Sequence, residues 1–433
     1  MNKQILRLAI PNIITTITVP LLGMVDVAIV GHLGSEQYLG AIALGTMIFN
    51  LIYWNFGFLR MGTSGFTAQA YGAINKEEIM HIFGRAMSIA LAASVILLLF
   101  QYPIKTLALL LVQGSQEVEY YAAVYFDICI WGAPAILGLY VIKGWFIGMQ
   151  NAKTPMWIAI QINIINIILS FLFVFGFGMK IEGVALGSLI SQYLGLITAM
   201  ILWFVYYRQY TRYFSLKKIL AFDKMKAFFK VNADIFLRTL CLIAVFTFIP
   251  AEGAKMGDRI LAINILLMQF FTLFSYIMDG FAYAGESLTG KYVGARNKAS
   301  LQLSINYLFR WGAALTAFFI LLYAFFGKYL LALFTDNIAI IEDARDYYYW
   351  VLLVPIAGFA AFLWDGILIG ATKVKIMRNA SFIATFAFFV MFYLLENLIG
   401  NHALWLAFVL FLLFRSLLQS IWGPKAIFKN LHT

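Results

Sequence analysis

The sequence specifies an all-α polytopic membrane protein, with twelve transmembrane helices in two pseudo-symmetric lobes of six. Three observations lead there. Hydrophobic residues make up 63% of the chain and charged residues only 12%, about half the charge of a typical soluble domain, and the mean hydropathy is +0.87. The charges retreat into short clusters between apolar runs, each long enough to cross a bilayer as a helix. Short strings also recur at one fixed spacing in the two halves of the chain.

The spans fall at 5–31, 40–72, 84–111, 120–144, 155–178 and 183–207, and then at 230–250, 258–292, 303–334, 345–369, 378–399 and 402–424. The first is of full length and lacks a small-residue cleavage site, so it is expected to remain as a helix. It carries Pro11 and Pro20, each of which removes a backbone hydrogen bond and provides a hinge. Asn12, Thr16, Gly23 and Asp26 fall on one face of it. A carboxylate at membrane depth costs on the order of 3 kcal/mol, so Asp26 needs water, a partner or a proton. A bendable helix bearing a protonatable group is a device for coupling protons to movement, and the bland alternative is an Asp satisfied by hydroxyls in a static bundle.

The second span holds Arg60 near its middle, where a tie to a carboxylate or carbonyls is expected and gating is the lesser reading. Asp127 in the fourth is either part of a polar network or a helix-end anchor. Later spans place Asp234 and Arg238 four residues apart, a local pairing distance on a helix, and Asp279 and Asp365 each before a glycine. These four outline a candidate C-lobe cavity for a second cation or a drug, against a structural reading in which the carboxylates pair with Arg238. Methionine and tryptophan (Met24, Met149, Met278, Trp54, Trp145 and Trp364) suit a soft wall for varied apolar cations.

Loops are short except 207–230, where Arg208, Arg212, Lys217, Lys218, Lys224, Lys226 and Lys230 cluster. This segment divides the chain into an N-lobe (1–207), a basic inter-lobe loop (208–229) and a C-lobe with its tail (230–433). With the N-terminus cytoplasmic, twenty-two Lys and Arg fall on the cytoplasmic side and six outside, which orients both termini inward. The net charge of +11 therefore reports topology, with anionic lipid as a further reading, and nucleic acid is not expected as a partner. Gly72-Ala-Ile-Asn-Lys76 recurs as Gly294-Ala-Arg-Asn-Lys298, and Gly144 to Lys153 recurs as Gly366 to Lys375, both 222 positions on. Six spans per repeat make the repeats parallel, which is transporter architecture.

Enzyme chemistry lacks its parts. Gly285 to Lys291 mimics a phosphate-binding loop, but Tyr292 stands where Ser or Thr is required and no strand precedes it. The histidines His32, His81, His402 and His432 sit near span ends or in the tail, so no metal or Ser-His site is expected. Cys129 and Cys241 lie within spans, which argues against a disulfide framework.

The chain resembles the multidrug and toxic compound extrusion (MATE) family, and more narrowly the branch typified by DNA-damage-inducible protein F (DinF). The likeness runs along essentially the whole length. It is carried by IPNIITTITVPLLGMVDVAIVGHLG (10–34), FGFLRMGTSGFTAQAYG (56–72), GMQNAKTPM (148–156), INIINIILSFLFVFG (162–176) and GVALGSLISQY (183–193). Beyond the midpoint come NADIFLRTL (232–240), AINILLMQFFTLFSYIMDGFAYAGESLTGKYVGA (262–295) and WDGILIGATKVKIMRNA (364–380). The resemblance implies a secondary antiporter of the inner membrane that exports amphipathic, often cationic, compounds in exchange for protons or sodium. It implies no cofactor and no enzymatic activity; a monomer is expected. It makes Asp26, fifteen residues after Pro11, the N-lobe ion site, with Asn166, Ser170, Ser188 and Tyr125 as partners. Ser170 departs from the family's Asp. One carboxylate with Asn163, Asn166 and hydroxyls holds a proton more readily than sodium, so proton coupling is expected, with sodium as the alternative. Another alternative, a flippase for lipid-linked intermediates, wants a strongly basic cavity, and only Arg60, Arg238 and Arg415 lie at depth.

Overall fold

The computed structural model describes residues 1–32, 36–111 and 115–429. Leu33 and Gly34 of the first resembling stretch, and His432, lie outside them. Among the described residues twelve helices are long and apolar enough to cross a membrane. They are α1 (Asn2–Gly31), α2 (Glu36–Gly72), α3 (Lys76–Leu99), α4 (Gln116–Gly148), α5 (Lys153–Gly176) and α6 (Ile181–Tyr213). The second half supplies α7 (Phe222–Lys255), α8 (Asp258–Gly294), α9 (Lys298–Phe334), α10 (Ile338–Gly370), α11 (Val374–Ile399) and α12 (Asn401–Lys429).

One expected span is corrected. The run 84–111 was read as a single crossing, but α3 ends at Leu99 and a separate helix follows over Gln101–Leu111. Pro103 is the cause: it has no N–H to donate to the Leu99 carbonyl four residues back, and its ring would collide with that carbonyl in a continuous helix. Phe100 caps α3, its N–H donating to the Ile96 carbonyl at 2.9 Å.

The chain forms two compact units, one of Ile14–Phe229 and the other of Met1–Ile13 with Lys230–Thr433. Both boundaries fall inside continuous helices, α1 and α7. In the second unit the first turns of α1 seat on α8, where a side chain at Gly280 would collide with Ile13 and the Ala9 carbonyl.

Within each unit the repeat is visible in the backbone. Among the described residues four non-glycine residues have left-handed φ, and they form two pairs 222 apart: Ile74 (56°) with Arg296 (51°), and Gln150 (63°) with Thr372 (52°). Each follows a helix end closed by a long return bond. Asn75 N–H reaches the Ala70 carbonyl and Asn297 N–H the Tyr292 carbonyl, at 2.9 and 3.0 Å; Asn151 and Lys373 do the same to Phe146 and Leu368, at 2.9 and 2.8 Å. These are Schellman-type ends, which ordinarily use glycine. Asn75 and Asn297 then cap the next helix, each side chain accepting an N–H three residues on at 2.9 Å. The crossings repeat too. Gly144 on α4 lies against the Arg60 carbonyl of α2, and Gly366 on α10 lies against the Ala282 carbonyl of α8; Gly148 and Gly370 meet the carbonyls of Ser64 and Glu286. Only glycine admits so close an approach.

The segment expected as a loop, 208–229, is largely helical. It holds a 3₁₀ turn (Arg208–Tyr213), a short helix (Leu216–Ile219) and the start of α7. It is fastened to α3. The buried Arg85 donates through Nε to the Ile219 carbonyl (3.1 Å) and pairs with Glu78 (2.9 Å), the His81 ring contacts the Tyr213 carbonyl (3.0 Å), and Lys218 pairs with Glu77. Ile219 fits over Gly84, and the Phe228 ring stacks on Phe66 at 5.3 Å.

Candidate functional site

In the first unit the site grows from three helices. Asp26, on α1, is 9% exposed, and its Oδ1 is buried without a hydrogen-bond partner among the described residues. Its charge reaches Tyr125 and Cys129 of α4. Tyr125 is held in place from α2: its hydroxyl bonds Thr46 and Cys129, and Gly45 leaves room for the ring, where a Cβ would stand 2.5 Å away. No ion pair joins Asp26 to a basic group among the described residues, so its charge has no local cancellation. A lone, nearly buried carboxyl group of this kind is stable neutral and costly ionised.

The α5 and α6 residues form a string of their own. Asn166 donates to Ser188 Oγ at 2.8 Å, and Ser170 donates to Asn166 Oδ1 at a long 3.5 Å. Asn166 and Ser170 are buried, the latter beneath Gly187. Asn163 instead ties α5 to α1, donating to the Thr18 carbonyl at 3.0 Å. The structure thus joins Asn166, Ser170 and Ser188 to one another and Asn163 to the α1 backbone, with Tyr125 beside Asp26. Thr46 and Cys129 carried no signal in the sequence beyond being small polar groups on apolar helices. Pro11 and Pro20 sit inside an α1 that is helical throughout. Asn12, on the part of α1 that belongs to the other unit, is fully buried and donates to the Leu8 carbonyl at 2.9 Å.

In the second unit the candidate cavity residues are bound up in ion pairs, and the local Asp234–Arg238 pairing is corrected. Asp234 accepts from Arg378 of α11, while Arg238 pairs with Asp365 of α10. Both members of the expected pair have partners across a helix interface rather than one turn away. Asp365 Oδ2 also accepts from Arg415 of α12 at 2.6 Å, and its Oδ1 accepts from Gln419 at 2.9 Å. Every oxygen of Asp365 is therefore engaged by protein donors, so the group clamps three helices together. Gln419 was not singled out from sequence, although it lies one turn beyond Arg415 on the same face. Asp279 is half-buried on α8, and Arg60 is buried on α2 within electrostatic reach of Tyr140. Asp127 is an exposed anchor, paired with Lys105 at 2.8 Å.

The expected soft wall is partly core. Trp145 is fully buried with its indole N–H on the Ile79 carbonyl (3.1 Å), Trp364 donates to Ser420 (2.9 Å), and Met149 and Met278 are buried; Met24 and Trp54 are exposed. Among the described residues no group of three His, Cys, Asp or Glu side chains comes together to hold a metal.

Twelve apolar helices in repeated sets, with buried polar groups gathered where helices cross, define a multi-pass membrane transporter. The MatE family model matches residues 11–172 and 235–394. DNA damage-inducible protein F of Escherichia coli is 36% identical over 422 residues, 97% of this chain and 92% of that one. The probable multidrug resistance protein NorM of Bacillus cereus is 24% identical over 394 residues, 88% and 85% of the two chains. Among solved structures, a MATE protein crystallised in the bent conformation superposes with a TM-score of 0.87 at 21% identity, covering 100% of this chain and 97% of the other. The chain belongs to the MATE family, whose members are transporters and not enzymes.

Proposed function

We propose that this protein is a proton-coupled antiporter of the inner membrane that exports amphipathic, cationic organic compounds, with Asp26 as the group that takes up and releases the proton. The single observation that carries this reading is the isolation of Asp26: nearly buried, with one oxygen lacking a partner and no basic group paired with it among the described residues. A proton is the ligand such a group accepts most readily. Sodium wants several oxygens converging on it, and here the Asn166, Ser170 and Ser188 side chains bond one another. Protonation removes the charge, and deprotonation creates an ionised group that must recruit water or hydrogen-bond donors. That difference drives α1 to bend at Pro11 and Pro20 and alters the tie from Asn163 to the Thr18 carbonyl. The cycle turns because the proton binds the two conformations with different affinity. The substrate class is the one the family resemblance implies, and a relative described as a probable multidrug resistance protein supports it. In this reading both termini face the cytoplasm.

The test is efflux of ethidium from proteoliposomes under an imposed pH gradient. Asp26→Asn inserts and folds normally but loses gradient-driven efflux. Efflux at the parental rate in that variant removes Asp26 from the mechanism, and efflux driven by a sodium gradient at constant pH replaces the proton with sodium.

A further inference from the structure

We propose that residues 208–229 are an interfacial anchor that seats in the bilayer surface and takes anionic phospholipid headgroups through Lys217, Lys224 and Lys226. The segment is basic by sequence, and it also turns large apolar groups outward: Phe214, Leu216, Leu220, Phe222 and Phe229 are each at least half exposed, Phe222 at 77%. In an aqueous loop that arrangement is unfavourable. At the headgroup boundary it is the expected one, with apolar side chains in the acyl region and lysines reaching the phosphates.

Three features of the structure specify that occupant. The apolar exposure is continuous with the lipid-facing side of α6, where Ile201, Phe204 and Val205 are more than half exposed just before the segment begins. The charge is complementary to anionic lipid, since Asp223 is the segment's sole acidic residue against Arg208, Arg212 and four lysines. Lys217, Lys224 and Lys226 are exposed and make no ion pair among the described residues, whereas Lys218 is spent on Glu77. The presentation is also rigid. Arg85, His81 and Ile219 fix the backbone against α3, so the outward groups are held ready at no further ordering cost. Clustered lysines beside a transmembrane helix gain from the negative surface potential of an anionic leaflet. The anchor does not depend on which ion drives transport.

Spin labels at L220C and F222C, in the full-length chain carrying C129A and C241A, read this directly by power-saturation spectroscopy in nanodiscs. In phosphatidylcholine mixed with phosphatidylglycerol, the ratio of oxygen to nickel-chelate accessibility rises several-fold over that in phosphatidylcholine alone. The triple variant K217E/K224E/K226E loses the rise. Equal ratios in the two lipids overturn headgroup recognition. So does a rise that survives the triple variant. Dipolar broadening between labels overturns it in favour of a second copy of the chain as the occupant.

Discussion

At the scale of single residues, two of the acidic groups at depth have opposite fates. Asp26 is left without a charge partner, whereas Asp365 is wrapped by Arg238, Arg415 and Gln419. Removing one member of a buried ion pair strands the others, at a cost of about 3–5 kcal/mol. Asp365→Asn is therefore expected to lower the melting temperature of the purified protein sharply, and Asp26→Asn to leave it nearly unchanged. A drug or cation site at Asp365 would give the reverse outcome, normal melting with lost transport. Asp26 stood out in the sequence because a carboxylate inside an apolar run is costly and needs water, a partner or a proton. Of the clamp, the Arg238–Asp365 pair was the structural reading the sequence offered, whereas the joining of Arg415 and Gln419, 50 and 54 residues from Asp365, carried no signal along the chain. Spacing along one helix pointed to Asp234 as the partner of Arg238, and the interhelical geometry chose otherwise.

At the scale of elements, the glycine crossings set how near the helices come. A Cβ at Gly144 or Gly366 meets a backbone carbonyl, which cannot swing aside as a side chain can. Gly144→Ala and Gly366→Ala should each destabilise their unit by about 1–3 kcal/mol or more. Gly23→Ala, with nothing within 4 Å of the added atom, should not. Thermal unfolding of the three variants decides it, and equal melting temperatures would show that the crossings can relax. The number and order of the spans were readable because apolar runs of bilayer length are unmistakable. The end of α3 was missed because apolar residues resume beyond it at Ile104 and from Leu107 to Leu111, so the polar interruption around Pro103 looked like a dip within one span. The helical turns within 208–229 were hidden by the opposite bias, a basic composition that reads as loop.

For the molecule as a whole, the distribution of Lys and Arg predicts that both termini face the cytoplasm. Single cysteines at K3C and K328C, in a background without Cys129 and Cys241, test it with a membrane-impermeant maleimide. K328C should react in intact cells and K3C only after the membrane is opened, and the reverse pattern would invert the topology. The repeat was legible from two short strings at one offset. The units, however, also part within α1 after Ile13, where no shift in composition gives warning, since the fit of Ala9 and Ile13 against Gly280 is a matter of shape. The shared corners carry one more implication. Counting the same 222 positions onward from Asp26 arrives at Phe248, whose ring is ringed by Phe388, Phe389, Phe392 and Tyr393. The joints recur in both halves and the acid in only one, so a proton carried by Asp26 has no counterpart at the matching position of α7, and at most one per cycle is expected at that pair of positions.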